Sequence, residues 1–304
     1  MKILVTGGAG FIGSHLVDAL LSKGHQVEVL DSFASSSPAN VPRGVKVHKA
    51  DIRKRLDPSA FEGCGAVFHL AADPNVKTSA ENARENFDIN ATGTFNVLDA
   101  CREAGAGRFV FTSTSTVYGK AEIMPTPESH PTIPASNYGA SKLAGEAYCS
   151  SFAATYGIKA TVLRFANIFG ERSTHGVMFD FYQKLKKDPQ RMEILGNGKQ
   201  NKSYLHVSDC VSAMLLCFEK QPGSFGIYNV GSEEQRTVDR IASLVASELG
   251  VRPGFTYTGG EGGWKGDVSA MLLDVKKMKS LGWKPAVGFE HGVSRYVKWL
   301  KENF

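Results

Sequence analysis

The first 166 residues alternate between short apolar runs and longer segments whose apolar positions recur with the period of a helix. The apolar runs predict strands at residues 2–5, 26–30, 45–49, 65–70, 108–112 and 159–165. The longer segments predict helices at residues 12–22, about 80–104 and 138–156. The run at 65–70 is almost entirely apolar, which is typical of a parallel strand covered on both faces. The alternation therefore predicts an α/β fold with a doubly wound parallel sheet and right-handed crossovers.

This rhythm changes after residue 166. Apolar runs at 192–195 and 202–207 flank Gly196-Asn197-Gly198, and the Asn-Gly pair predicts a hairpin between them. Further elements are predicted as a helix at 208–219, a strand at 226–230, a helix capped by Thr237, a mobile glycine-rich loop at 259–266 and a last helix at 289–300. We therefore expect a first domain at 1–166, to which residues 203–232 return, and a smaller lobe formed mainly by 167–304. The cleft between them is expected to hold the substrate.

A glycine-rich turn joins the first predicted strand to the first helix. Residues 6–13 read T-G-G-A-G-F-I-G, and Gly8, Gly10 and Gly13 have the spacing G-x-G-x-x-G. In such a turn the first glycine makes the tight bend, the second admits a pyrophosphate and the third lets helix and strand pack closely. The helix that follows favours an anion at its amino end by about 0.3 to 1 kcal/mol. For the glycines alone, an ordinary strand-to-helix turn remains the alternative.

The second predicted strand adds a carboxylate to this turn. It ends at Asp31, the distance at which an acidic side chain binds both hydroxyls of an adenosine ribose. No Arg follows Asp31 to receive a 2′-phosphate, so the cofactor is predicted to be NAD rather than NADP. Together these residues predict a Rossmann-like NAD-binding domain at 1–166.

The composition limits which binding partners and which cellular compartment are expected. The net charge of +5 over 304 residues is modest and forms no runs, so we expect an anionic small molecule as partner, with no nucleic acid and no membrane. The five cysteines form no C-x-x-C pair, which favours free, buried thiols in a reducing compartment, and no metal site is expected. The chain begins without a signal-like segment, and no apolar run approaches the roughly 18 residues of a membrane span. A cytoplasmic location is therefore expected.

Candidate acid-base chemistry lies at the start of the helix at 138–156. Tyr138 and Lys142 are one helical turn apart on the same face. Bringing a phenol pKa from about 10 to near 7 requires about 4 kcal/mol, and a nearby cation lowers it by roughly one to three pH units, so a positive nicotinamide ring is expected to help Lys142. A Y-x-x-x-K spacing also arises by chance among nine Tyr, but its position after the fifth strand favours catalysis.

Hydroxyl side chains crowd the end of that fifth strand. Residues 112–116 read Thr-Ser-Thr-Ser-Thr, at the carboxyl edge where open parallel sheets bind ligands. For any one of these residues, satisfying the backbone of a turn is an equally good explanation.

These motifs together resemble a known family over nearly the whole chain. The supporting stretches are TGGAGFIGSHL, Asp51-Ile52, HLAA at 69–72, STSTVYG, YGASK and LRFAN at 163–167. The sequence resembles the extended short-chain dehydrogenases/reductases, in their group of NAD-dependent nucleotide-sugar epimerases and dehydratases, and is most similar to archaeal-type UDP-glucose (UDP-galactose) 4-epimerases.

The resemblance implies roles for individual residues. It implies that Tyr138 takes the proton from the sugar 4-hydroxyl, that Thr114 bridges the two oxygens, and that Lys142 binds the nicotinamide ribose. The implied contacts to the cofactor are Gly7, Gly10, Phe11, Ile12, Gly13, Asp31, Asp51, Ile52, Leu70, Ala71, Ala72, Ser113, Tyr138 and Lys142. The implied contacts to the substrate are Ser115, Thr116, Asn167, Lys202, Tyr204 and Met271. A homodimer is also implied, paired through the helices at 80–104 and 138–156.

Departures from related patterns narrow the implied reaction. The 4,6-dehydratases carry Asp-Glu after the catalytic Thr, and UDP-glucuronate decarboxylases carry Glu at the position of Thr116, whereas this chain has Ser115-Thr116. Without that carboxylate, elimination at carbon 5 has no obvious catalyst. The resemblance therefore implies a UDP-hexose 4-epimerase that interconverts UDP-galactose and UDP-glucose. Epimerisation of UDP-N-acetylglucosamine or UDP-glucuronate, and a non-catalytic NAD-sensing regulator, remain alternatives.

The phosphate end of the substrate departs from the family. Lys202 stands where many members have Arg, and a Lys has no bidentate fork. A second family Arg corresponds to Trp264, so Arg172 or His175 is a candidate substitute, with a surface role as the alternative. Met271 aligns with the position that limits the group at sugar carbon 2, and its flexible side chain leaves N-acetyl sugars open.

Overall fold

The computed structural model describes residues 1–263 and 268–304, and Trp264 and the Gly266-Asp267 pair lie outside this range. The strands are β1 (Lys2–Thr6), β2 (Gln26–Asp31), β3 (Lys46–Lys49), β4 (Ala66–His69), β5 (Arg108–Thr114), β6 (Lys159–Phe165), β7 (Asn167–Phe169), β8 (Arg191–Ile194), β9 (Asn201–His206), β10 (Phe225–Val230), β11 (Gln235–Thr237), β12 (Gly254–Tyr257) and β13 (Ala270–Met271). The helices are α1 (Phe11–Ser22), α2 (Ala83–Phe87), α3 (Gly93–Glu103), α4 (Asn137–Tyr156), α5 (Val177–Lys187), α6 (Val207–Lys220), α7 (Val238–Leu249), α8 (Lys276–Ser280) and α9 (Phe289–Asn303).

Among the described residues, seven parallel strands form the main sheet, in the order β10-β6-β5-β4-β1-β2-β3. Alternate residues of each strand face opposite layers: Ile3 and Val5 pack with α1 and α6, whereas Leu4 packs with the layer of α3 and α4. Burying one such aliphatic side chain contributes about 1.5 to 3 kcal/mol. The predicted α/β fold with a Rossmann-like doubly wound sheet is confirmed. Among the described residues, no helix has the length and apolar character that crossing a membrane requires.

A second layer of structure stands on the carboxyl side of this sheet. β9 pairs with β7 and β13 in parallel and with β11 in antiparallel, and β8 pairs with β12. The helices α5, α7 and α9 share an apolar cluster with β8. As expected, the side chain of Thr237 caps α7, because its Oγ1 accepts a hydrogen bond from the backbone N–H of Arg240 at 3.2 Å.

The predicted hairpin at Asn197 is wrong. β8 pairs with β12 and β9 pairs with other strands, so the two segments belong to different sheets. Gly196 and Gly198 both have positive φ, and Asn197 Oδ1 accepts a hydrogen bond from the backbone N–H of Lys199 at 3.0 Å. This side-chain turn, together with the bond from Gly196 N–H to Thr258 Oγ1, redirects the chain instead of folding it back on itself.

The helix predicted at 80–104 is interrupted. It begins at Ala83 and contains a π-helical segment, Asp88–Thr92, between α2 and α3. At this segment the Thr94 hydroxyl donates to the Asn90 carbonyl at 2.6 Å, and the Asn90 side chain bonds the backbone of Asp73. Side chains that compete for backbone partners widen a helix locally. The interruption faces the carboxyl end of β4, next to the candidate site.

Candidate active site

The glycine turn between β1 and α1 is shaped by close contacts of the backbone. Gly7 has φ of +68°, and a Cβ at Gly13 would stand 2.1 Å from the Gly7 carbonyl oxygen. Gly10 is the N-cap of α1 and has no capping side chain, so the first amides, at Phe11 and Ile12, have no helical acceptor. Their donors and the open surface at Gly10 fit a phosphate group.

Asp31 lies directly beside this turn and is buried. Its carboxylate accepts hydrogen bonds from the backbone N–H groups of Ala9 and Phe33, at 3.0 and 2.9 Å, and from the Ser36 hydroxyl at 2.8 Å. These bonds hold the carboxylate at the end of β2, one strand from the glycine turn. The position fits the ribose contact that the sequence predicts.

Asp51 and Ile52 follow β3 at the same edge of the sheet. Arg53 Nη2 lies 2.6 Å from Asp51 Oδ2, and this hydrogen bond is the main cause that lowers the pKa of the Asp51 carboxyl. Ile52 is buried against α3, where a Cβ at Gly93 would come within 2.6 Å of Ile52 Cδ1. Asp51 and Ile52 are therefore held in place at the edge of the sheet beside Asp31.

Leu70, Ala71 and Ala72 leave β4 opposite the glycine turn. The Ala71 N–H donates to Thr6 Oγ1 at 3.3 Å, and Thr6 Oγ1 also lies 2.7 Å from His69 Nδ1. Burial holds the pKa of His69 well below its usual value, so this imidazole is neutral at pH 7. The neutral ring ties β4 to β1 and fixes the backbone at Ala71.

Thr114 and Tyr138 meet at the carboxyl end of β5. Ser136 caps α4 by accepting from the Gly139 N–H at 3.1 Å, and a Cβ at Gly139 would stand 2.7 Å from the Thr116 carbonyl oxygen. This close approach brings the first turn of α4 onto the end of the strand. The Thr114 hydroxyl is then within hydrogen-bonding reach of the Tyr138 phenol.

The charges of the Tyr138–Lys142 pair differ from the sequence-based expectation. Burial raises the pKa of Tyr138 to about 12, the hydrogen bond with Thr114 opposes this rise, and the Asp73 carboxylate adds to it. Burial lowers the pKa of Lys142 to about 7, and its ammonium lies 4.3 Å from the centre of the Phe111 ring. In the protein alone, the lowering of the phenol pKa expected from Lys142 is therefore not found.

Ser113 is buried and belongs to a polar network within the protein. Its hydroxyl donates to Glu146, which forms a buried ion pair with Arg164. Arg164 in turn donates to the Tyr118 hydroxyl at 2.9 Å. The side chain of Ser113, predicted as a cofactor contact, is therefore engaged within the protein.

Four of the predicted substrate residues come together on the sheet around β9. Asn167 is the register partner of Tyr204 in β7–β9, and Met271 is the partner of Lys202 in β13–β9. Directly paired residues share a face, and so do residues two apart in one strand. The remaining two, Ser115 and Thr116, begin the turn after Thr114.

The two proposed substitutes for the missing Arg have partners elsewhere. Arg172, at φ of +65°, forms an ion pair with Asp18 of α1 at 2.8 Å. The His175 ring packs edge-on against Phe11, with 6.0 Å between centres. Neither residue is brought to β9 by the contacts of the described residues.

Two residues that were not predicted from the sequence also lie at the site. Asp73 follows Ala72, and its charge acts on the Tyr138 phenol. Arg236 in β11 is the antiparallel partner of Lys202 and shares its face. Asp73 could have been identified from the sequence, because it is a carboxylate close after the fourth strand. The pairing of Arg236 with Lys202 could not be predicted from the sequence.

The family of this chain is shown by comparison with known proteins. Residues 3–231 match the model of the NAD dependent epimerase/dehydratase family. The chain belongs to this family. NAD is accordingly its cofactor, as the sequence predicted, and the glycine turn with Asp31 fits that group.

Solved structures of high similarity cover the whole chain. A crystal structure of a UDP-galactose 4-epimerase is 40% identical, covers 100% of both chains and has a TM-score of 0.92. The UDP-glucose 4-epimerase of Thermotoga maritima with UDP-glucose is 34% identical over 99% of both chains, with a TM-score of 0.91. The UDP-glucose 4-epimerase of Thermus thermophilus in complex with NAD is 35% identical over 100% of both chains, with a TM-score of 0.90.

Proposed function

We propose that the protein is an NAD-dependent isomerase, a UDP-hexose 4-epimerase that interconverts UDP-galactose and UDP-glucose through a transient 4-keto sugar. The observation that carries the proposal is the contact of Thr114 with Tyr138 at the carboxyl edge of the sheet, followed by the hydroxyl residues Ser115 and Thr116. The names and bound UDP-glucose of the similar structures support the choice of substrate.

In the proposed reaction, Tyr138 removes the proton of the sugar 4-hydroxyl, and the Thr114 hydroxyl forms a hydrogen bond with the phenol oxygen of Tyr138. NAD, when bound, supplies the means to take the hydride from carbon 4 and to return it. The 4-keto sugar turns over, so that its other face meets the same groups, and Tyr138 returns the proton. Proton and hydride are both restored, so the cofactor is not consumed.

The raised pKa of Tyr138 means that the proposed base needs a nearby positive charge before it can act. With a phenol pKa of about 12, Tyr138 is protonated at neutral pH in the protein alone. The positive charge that bound NAD carries, together with Lys142 at its ribose, favours the phenolate. We therefore propose that the base becomes competent only in the protein loaded with cofactor.

The diphosphate of the substrate is proposed to lie on the face of β9 that carries Lys202 and Arg236. Two cations side by side suit a diphosphate, and Arg adds the bidentate fork that Lys lacks. Arg236 lies over the Phe289 ring at 5.2 Å, and its Nη2 lies 2.5 Å from Glu234 Oε2, so a bound diphosphate is proposed to replace Glu234 as the partner of the guanidinium. On the same face, Asn167 and Tyr204 complete the contact, and Met271 is proposed to lie beside sugar carbon 2.

The function is tested by incubating the purified protein with UDP-galactose and following the products by NMR. Formation of UDP-glucose is expected, and its absence would refute the proposal. A panel with UDP-N-acetylglucosamine and UDP-glucuronate separates the other sugar specificities. A non-catalytic NAD sensor would bind the cofactor and turn over none of them.

A contact test separates the phosphate site from the catalytic groups. Lys202→Met and Arg236→Gln are each expected to raise KM for UDP-galactose about tenfold, as for the loss of a hydrogen bond to a charged group. Lys199→Met, at an exposed position before β9, serves as control. A fall in kcat with unchanged KM would place these cations outside the diphosphate site.

A homodimer is proposed through α2, α3 and α4. These helices expose the aromatic side chains Phe87, Phe95, Tyr148 and Tyr156, and the rings of Phe95 and Tyr148 lie 5.2 Å apart. Large exposed apolar patches mark interaction sites. Light scattering is expected to give twice the chain mass for the wild type, and a smaller mass for Tyr148→Glu.

Two further expectations stay proposals. A cytoplasmic location is supported by the five cysteines Cys64, Cys101, Cys149, Cys210 and Cys217, which are buried and unbridged. The division into a cofactor domain at 1–166 with 203–232 and a substrate lobe is supported by β10 and α6, which pack with the main sheet. Cell fractionation tests the first, and limited proteolysis tests the second.

A further inference from the structure

The hydroxyl of Thr114 lies between Thr116, which donates hydrogen bonds to it, and the phenol of Tyr138. Its Oγ1 accepts a hydrogen bond from the backbone N–H of Thr116 at 3.2 Å, and Thr116 Oγ1 donates a second bond at 3.1 Å. On its other side lies the Tyr138 phenol. Thr114 is buried, and the hydrogen bond from the Thr116 N–H holds its hydroxyl oxygen at the start of the turn.

The number of hydrogen bonds that one hydroxyl can form gives this contact a direction. A Thr hydroxyl has one proton to donate and two lone pairs that accept. The two bonds from Thr116 occupy both lone pairs, and the backbone N–H in particular can only donate. The single proton of Thr114 is then left for Tyr138, and the bonds run from Thr116 through Thr114 to the phenol oxygen.

We propose that Thr116 is a positioning residue that keeps Thr114 as a hydrogen-bond donor to Tyr138. The inference rests on the proposed function, in which Tyr138 is the base. A donor aimed at the phenol oxygen stabilises the phenolate more than the phenol, because the negative oxygen is the stronger acceptor. Without the Thr116 hydroxyl, Thr114 is free to turn its proton away and to present a lone pair to the base.

This role differs from the one that the family resemblance implies for Thr116. A direct contact with the sugar would affect substrate binding, whereas control of Thr114 affects the protonation of Tyr138. The two roles therefore separate in KM and in the pH dependence of kcat.

Two substitutions at the same position isolate the hydroxyl. Thr116→Val keeps the branched shape and the backbone N–H bond to Thr114, and removes only the donor at Oγ1. Thr116→Ser keeps the hydroxyl and removes a methyl group. Circular dichroism and the content of bound NAD verify that both variants fold.

For Thr116→Val we expect kcat to fall about three- to tenfold, the range for one lost hydrogen bond. The acid limb of its kcat profile is expected to move to higher pH, with KM for UDP-galactose close to that of the wild type. Thr116→Ser is expected to restore both kcat and the position of the limb. A rise in KM with an unmoved acid limb, or a Thr116→Val enzyme equal to the wild type, would overturn the inference.

A second readout works without turnover. The ultraviolet absorbance of the phenolate, titrated in the NAD-loaded protein with Tyr138→Phe as baseline, is expected to show a higher phenol pKa in Thr116→Val and an unchanged one in Thr116→Ser. Equal titrations in all three proteins would overturn the positioning role. Failure of the proposed function appears separately, as a wild type that binds NAD and leaves UDP-galactose unchanged.

Discussion

Arg164 Nη2 lies 2.6 Å from Glu146 Oε2, and both side chains are only 4% exposed. Arg164 Nε also donates to the Glu146 carboxylate at 3.0 Å, so the pair is bidentate. Glu146 is one turn after Lys142 on α4, and Arg164 is in β6. The ion pair therefore fixes the helix that carries Tyr138 and Lys142 against the main sheet.

Breaking this pair from one side leaves a buried charge without its partner. We expect Glu146→Gln to lower the free energy of unfolding by about 3 to 5 kcal/mol, measured by denaturant titration. The exposed pair of Arg102 and Asp99 serves as control, and Asp99→Asn is expected to cost less than about 1 kcal/mol. A loss at Glu146 no larger than that of the control would contradict the structural role. In the double variant Glu146→Leu/Arg164→Met, the loss of unfolding free energy is expected to be smaller than the sum of the losses in Glu146→Leu alone and Arg164→Met alone.

Removing the phenol oxygen tests the base directly. Tyr138→Phe is expected to reduce kcat for UDP-galactose at least about a hundredfold, the usual contribution of a positioned base. Bound NAD is expected to remain, because the glycine turn and Asp31 are untouched. Tyr148→Phe, on the exposed side of α4, is the matched control. Unchanged turnover in Tyr138→Phe would remove this residue from the mechanism.

Asp73 provides a test by pH. Its negative charge raises the pKa of Tyr138, so Asp73→Asn lowers that pKa. The base then becomes available at lower pH, and the acid limb of kcat/KM is expected to move down by up to about one pH unit. Asp188→Asn, exposed after α5, is expected to leave the limb in place. A limb that moves upward in Asp73→Asn would contradict the assigned sign.

The lowered pKa of Glu171 predicts how the stability of the fold changes at acidic pH. Burial raises the pKa of its carboxyl, but His206 at 3.1 Å and Arg295 at 2.9 Å outweigh burial and lower the pKa to about 2. A carboxyl with a depressed pKa stabilises the fold above its ordinary pKa of 4.5, and that contribution disappears as the pH falls from there toward 2.

Glu171→Gln is therefore expected to cost up to about 3 kcal/mol at pH 7 and progressively less between pH 4.5 and 2. Denaturant titrations at several pH values measure the difference from the wild type. The exposed Glu302→Gln is the control, with little effect at any pH. A difference that does not shrink with acid would show that the contacts of Glu171 do not depend on its charge.

The order of strands and helices in the first 166 residues and the cofactor turn followed from the sequence alone. Apolar periodicity, the spacing of Gly8, Gly10 and Gly13, and the carboxylate of Asp31 are local features, and each predicts its own segment. The spacing of Tyr138 and Lys142 on one face of α4 is of the same kind, because helical geometry alone sets it.

The tertiary structure decided which segments of the chain are in contact and how the pKa values of the site residues are shifted. The partners of β8 and β9, the position of Arg236 opposite Lys202 and the reach of Asp73 to Tyr138 depend on contacts between distant parts of the chain. The same is true of the pKa of Lys142, which is lowered by burial among other elements. Strand pairing and desolvation are properties of the packed molecule, because they depend on what surrounds a residue and not on its neighbours in sequence.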